Sequence, residues 1–144
     1  MSAMSDYLEN KLVDHIFRAA TFAKPTTLAV GLLTAAPSDS GGGTEVSGSN
    51  YARVALNPSD TNWKSTQNTA SAGNSTGTGG QTKNAVVITF PTPSGNWGTV
   101  SHFGIYDATS GGNLLFHGAL TIAKTINQSD TVSFPVDSLT ITFA

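Results

Sequence analysis

The sequence predicts a mainly β protein: an antiparallel β-sandwich or barrel-like domain with one N-terminal α-helix. Three observations point there. About seven short runs after residue 27 combine β-branched residues with period-two alternation. One stretch near the start repeats apolar residues every three to four positions. Clusters of Gly, Ser, Asn and Asp separate the runs at short intervals, which favours a sandwich or barrel over a parallel α/β sheet. Residues 1–144 read as a single structural domain, with a helix over about 5–22 and a β-domain over about 27–144.

The helix is set by Leu8, Leu12, Ile16 and Ala20, which step by four, with Val13 and Phe17 widening the stripe. Ser5 is placed to cap it, Asp6 and Glu9 suit the positive end of the dipole, and Pro25 stops it. The strands follow. Thr27–Thr34 is a short apolar run. In Tyr51–Leu56, Tyr51 and Arg53 oppose Ala52, Val54 and Leu56. Ala85–Phe90 is the most β-branched run and ends at Pro91. In Thr99–Tyr106, alternation puts Val100, His102, Gly104 and Tyr106 on one face and Ser101, Phe103 and Ile105 on the other. Asp107–Asn113 reads as a hairpin loop leading into Leu114–Leu120, and Val132–Phe134 and Leu139–Phe143 close the set. Residues 57–84 form a long polar loop of Ser, Thr, Asn, Gly and Gln in which Trp63 stands alone. Its ring is expected either on its own sandwich or on a neighbouring subunit.

Composition excludes several classes of function. Seven Lys/Arg against nine Asp/Glu give a net charge of −2, and only 11% of residues are charged. Ser (16) and Thr (20) make up a quarter of the 144 residues, so solubility rests on hydroxyl groups rather than on charge. No basic excess exists to grip nucleic acid. No apolar run reaches the ~20 residues that span a bilayer, and the helix lacks the Lys/Arg face that binds lipid surfaces. The chain has no Cys, which removes disulfides, thiolate zinc sites and Cys nucleophiles. Met1–Met4 lacks the cationic start of an export signal, so synthesis in a cytoplasm is expected.

Catalytic signals are thin. Ser101, His102 and Asp107 supply the residue types of a hydrolase, but adjacent strand residues point to opposite faces, which argues against a Ser101–His102 pair. His102 and His117 on neighbouring strands, with Asp107, make a thin candidate metal site; bonds to neighbours or a subunit contact explain them more simply. Gly41–Gly43 is followed by no Lys-Ser/Thr ending of a phosphate loop. The acidic residues Asp107, Asp130 and Asp137 fall in turn-like stretches, unlike the paired carboxylates of a glycosidase groove. The expectation is therefore no catalytic residue, no metal and no cofactor. The residues nominated for contacts with other chains are Trp63, Arg53, Leu8, Leu12 and Ile16.

Several motifs resemble a family of small bacteriophage virion proteins commonly labelled phage tail fibre proteins. They are Lys24-Pro25, the Leu28–Pro37 strand, Thr44-Glu45-Val46-Ser47, Tyr51-Ala52-Arg53-Val54, Trp97-Gly98, His102-Phe103-Gly104-Ile105, Gly111-Gly112-Asn113 and His117-Gly118. The resemblance implies a virion structural protein, assembled in the bacterial host cytoplasm. A short chain without repeats suggests, first, a capsid decoration (cement) protein that clamps neighbouring subunits by multivalent contact. The second reading is a tail fibre or tail-associated protein that contacts the host surface. The implied partners are the phage major capsid protein and/or other virion proteins, and copies of the chain itself, a trimer being favoured; neither nucleic acid nor a membrane is implied. The resemblance also implies that Arg53 pairs across a subunit contact or sits on the surface, and that Gly104 and Gly118 mark close backbone approaches or bulges.

Overall fold

The computed structural model describes residues 2–143. It is mainly β, antiparallel throughout, with one helix and no closed barrel. The elements in chain order are β1 (Ser2–Met4), α1 (Asp6–Phe17), β2 (Ala29–Ala35), β3 (Thr44–Glu45), β4 (Val54–Ala55), β5 (Gln81–Lys83), β6 (Ile88–Thr89), β7 (Gly98–Tyr106), β8 (Leu114–Ile126), β9 (Ser133–Phe134) and β10 (Thr140–Thr142). The main sheet runs β1-β8-β7-β2-β3, with β4 also on β2; β10–β5 and β6–β9 are separate two-stranded ladders. These ladders carry Ile88 and Ile141 onto the main sheet, where Val30, Leu32, Val100, Phe103 and Ile105 complete the core. Two apolar faces thus close on each other, as a sandwich requires.

Local chemistry explains where the helix starts. The Ser5 hydroxyl accepts from the Leu8 N–H at 3.3 Å, and Asp6 and Glu9 occupy the first turn. It ends earlier than the expected position 22. Arg18 is extended, and the Phe22 N–H donates to His15 Nδ1 at 3.1 Å as the chain turns back. A short helix is held mainly by tertiary packing. Beyond Leu12 that support is gone, since Ile16 and Phe17 are 63% and 81% exposed.

The β7–β8 hairpin follows the expected loop. Asp107 caps it, its carboxylate accepting from the Asn113 N–H at 2.6 Å and from Asn113 Nδ2 at 2.8 Å. Gly111 and Gly112 supply the left-handed turn, with φ of 61° and 71°. The expected alternation of β7 fails at one point. Val100 lies opposite Lys124 and His102 opposite Ala119, so β8 advances five residues while β7 advances two. This bulge moves Val100 into the core beside Phe103 and Ile105, away from the face assigned to it by simple alternation. It also makes β8 run on to Ile126, past the expected end at Leu120.

Candidate interaction site

The charged residues of the most conspicuous cluster are turned inward. β2 is paired by β4 at Ala29–Val30 and by β3 at Leu33–Ala35, which leaves a gap at Gly31–Leu32. Tyr51 fills it: its hydroxyl accepts from the Leu32 N–H at 2.9 Å and donates to Glu45 Oε1 at 2.8 Å. Arg53 then ties the parts together. Its Nε and Nη2 donate to the two Glu45 oxygens at 2.8 and 2.7 Å, a two-point match of planar groups. Its Nη1 donates to the carbonyls of Ala108 and Gly111 at 3.0 and 2.7 Å, which fastens the hairpin loop. Its guanidinium lies 3.4 Å from the Tyr106 ring centre. Gly31 and Gly104, opposite each other in the ladder, form the floor. A Cβ on Gly104 would come within 2.7 Å of the Tyr106 ring, and one on Gly31 within 3.0 Å of both that ring and Glu45 Oε1. The Arg53 side chain is 8% exposed and is engaged within its own chain.

Burial raises the pKa of the Tyr51 hydroxyl far above the ordinary tyrosine value, and the Glu45 carboxylate adds to it through a hydrogen bond and its charge. Burial and then the Glu45 charge raise that of Tyr106 in the same direction. A group whose pKa is raised by folding contributes stability below its unfolded value and loses it as pH climbs. Stability is therefore expected to fall above about pH 10, where unfolded tyrosine ionises. Urea midpoints measured from pH 8 upward check this, and Tyr51→Phe is expected to flatten the alkaline fall. An equally steep fall in that variant would remove Tyr51 as its source.

The long polar segment is more ordered than a loop of 57–84 suggests. Trp63 bridges to Asn84, and β5 pairs with β10, so the excursion is closed at its neck. Inside it, Ser, Thr and Gln side chains take up backbone groups: the Thr76 N–H donates to Gln67 Oε1 at 2.9 Å and the Gly77 N–H to Thr66 Oγ1 at 2.8 Å. Trp63 packs on its own core, its indole N–H donating to the Leu56 carbonyl at 2.8 Å. Beside it, with Phe116 and Phe143, lies a pocket of about 310 Å³. At the neck, Lys64 meets Asp137 at 2.8 Å. Sequence reading missed Asn84, which is wholly buried and whose side chain makes three hydrogen bonds. Its position at the end of a polar tract disguised it.

The helix residues divide. Leu8 is buried and Leu12 packs on the core, so both are spent inside the chain. Ile16 faces outward with Val13 and Phe17. A second, larger recess of about 800 Å³ opens between the far half of β8 and residues 130–140.

The candidate chemistry disperses, with one correction. Ser101 Oγ and His102 Nδ1 are 2.8 Å apart, although strand alternation argued against such a pair. The register break between Val100 and His102 removes the alternation on which that argument depended. Among the described residues the one His–carboxylate pair is His117–Asp39, at 3.1 Å, so His102 has no carboxylate to orient it. His102, His117 and Asp107 turn to Ser101, Asp39 and Asn113 respectively. No group of three or more His, Asp or Glu side chains placed to hold a metal occurs among the described residues. Nor is any described helix long and apolar enough to cross a membrane.

Comparison with known proteins adds one finding. The model of a family described as Podophage GP4 fiber I protein gp80 matches residues 3–142. No curated protein matches the chain.

Proposed function

The chain belongs to the family described as Podophage GP4 fiber I protein gp80 and is a structural protein of the bacteriophage virion, and from that premise we propose that it is a building element of a tail fibre. The observation that carries this reading is the extent of the match, which takes in nearly the whole chain. The sequence ranks a capsid decoration role ahead of a fibre role; the family description favours the reverse order.

In this role the protein works by fitting against its neighbours and transforms no substrate. Its internal charges support that reading. Arg53, Glu45, Lys64 and Asp137 are consumed in holding loops and short strands, and the Ser101–His102 pair lacks the third group that a nucleophilic site needs. Its partners are other virion chains, copies of itself among them; nucleic acid and membrane are not partners.

Labelling purified phage with an antibody to this chain, together with its copy number on stained gels, tests the assignment. A handful of copies, with label confined to the tail, is the expected result. Hundreds of copies spread over the head would replace the fibre role with capsid decoration, and absence from mature particles would remove both.

A further inference from the structure

We propose that His15 is a pH-operated hook. With its imidazole neutral it holds the strap over residues 19–27 against the end of α1; protonated, it lets the strap go while the helix and the sheet stay folded. This device does not depend on where the chain sits in the virion.

The strap is thinly held. It links α1 to β2 with neither helix nor strand. At its far end the Leu28 N–H donates to Asn57 Oδ1 at 3.3 Å, and the Leu28 carbonyl accepts from the Leu56 N–H at 2.8 Å. Among the described residues, the bond from the Phe22 N–H to His15 Nδ1, at 3.1 Å, is the one hydrogen bond that residues 19–27 make. Phe22 also packs part-buried on the core, whereas Ala19, Ala20, Thr21, Ala23 and Lys24 around it are exposed.

The bond fixes the tautomer of the neutral ring. An Nδ1 that accepts carries no hydrogen, so the proton sits on Nε2. Protonation puts a hydrogen on Nδ1, and two N–H groups then face each other. Histidine is the side chain that changes charge between pH 5 and 8, so a single proton removes the strap's bond. The charged groups about the ring do not restore it. On and beside α1 these are Lys11 and Arg18, one turn to either side, and Asp14, whose carboxylate is taken by Arg18 at 3.0 Å. Lys24 is the charged residue of the strap. β8, against which α1 packs, carries Lys124 and His117, and His117 is turned to Asp39 at 3.1 Å. The helix itself tolerates the cation. His15 lies in its last turn, where the negative end of the dipole favours positive charge. The strap also brings Lys24 to the rim of the pocket beside Trp63, so its release loosens one edge of that pocket.

The experiment uses the full, isotope-labelled chain in NMR relaxation at the two ends of the histidine range, pH 8 and pH 5. On acidification, backbone order parameters over residues 19–27 are expected to fall from about 0.85 to below about 0.6, while those of α1 and β2 hold. The Phe22 amide shift is expected to titrate with the same midpoint as the His15 ring signal. His15→Asn keeps an acceptor, Oδ1, in the place of Nδ1 and does not titrate, so the strap is expected to stay ordered at both pH values. His15→Phe keeps a ring without an acceptor, and its strap is expected to move at both. His15 is exposed, and circular dichroism melts confirm that each variant folds. His102 and His117 are intact in both variants, which separates their titration from that of His15. A wild-type strap as ordered at pH 5 as at pH 8, a strap that loosens in His15→Asn, or one that stays rigid in His15→Phe would each overturn the proposal.

Discussion

Asn84→Asp is expected to destabilise the fold by about 3–5 kcal/mol, although the two side chains have nearly the same shape. Asn84 is fully buried, and its amide nitrogen donates to the carbonyls of Val86 and Pro135, both at 2.8 Å. Its side-chain oxygen accepts from the Leu139 N–H at 2.9 Å. Its backbone holds the same arm, donating to the Leu139 carbonyl at 3.2 Å and accepting from the Asp137 N–H at 3.0 Å. Aspartate keeps the acceptor and loses both donors. The Val86 carbonyl then loses this donor, the Pro135 carbonyl keeps only those of Ser138, and both face an added negative charge in a buried site. Chemical denaturation of the full chain reads the loss directly. Lowering the pH is expected to recover part of it in this variant, because a protonated carboxyl again offers one donor. A loss under about 1 kcal/mol would mean that the 135–139 arm does not depend on this side chain.

Arg53→Met is expected to be nearly as damaging, at about 3 kcal/mol. The substitution strands Glu45, which is 26% exposed and so keeps some access to water, and it frees the carbonyls of Ala108 and Gly111. It also strips the cation from the Tyr106 ring. Removing Glu45 at the same time is expected to return part of the stability, since no charge is then left without its partner. Arg53→Lys is expected to behave more like the methionine variant than like the wild type. One ammonium cannot span two carboxylate oxygens, reach two carbonyls and lie flat on an aromatic ring. Urea midpoints check all three variants, and amide exchange over residues 107–113 reports whether the hairpin loop is released. Wild-type stability in Arg53→Met would show that the tie does not hold the fold together.

These two residues also mark how much of the molecule could be read along the chain. Tyr51–Leu56 is strand-like by pattern, and alternation correctly separates Arg53 from Val54. What alternation cannot supply is the partner. Glu45 lies eight residues away, Ala108 fifty-five and Gly111 fifty-eight, so a surface position and a buried tie look alike in sequence. Asn84 is harder still: it ends a polar tract, and its partner Pro135 is fifty-one residues away. Of the residues nominated for contacts, Leu8 and Leu12 share the helical period of Ile16. Period alone says nothing about where the sheet beneath the helix gives out.

Local pattern alone established the mainly β class, the helix start at Ser5, the strand over Thr27–Thr34 (observed at Ala29–Ala35) and the hairpin about Asp107–Asn113. It did so because caps, turn residues and period-two burial act between residues a few positions apart. The phase of β7 at Val100, the Ser101–His102 contact, the inward turn of Arg53, the burial of Asn84 and the outward face at Ile16 and Phe17 arise from the assembled fold. Each depends on which distant segment arrives alongside, and on a bulge or a missing neighbour that no local pattern records.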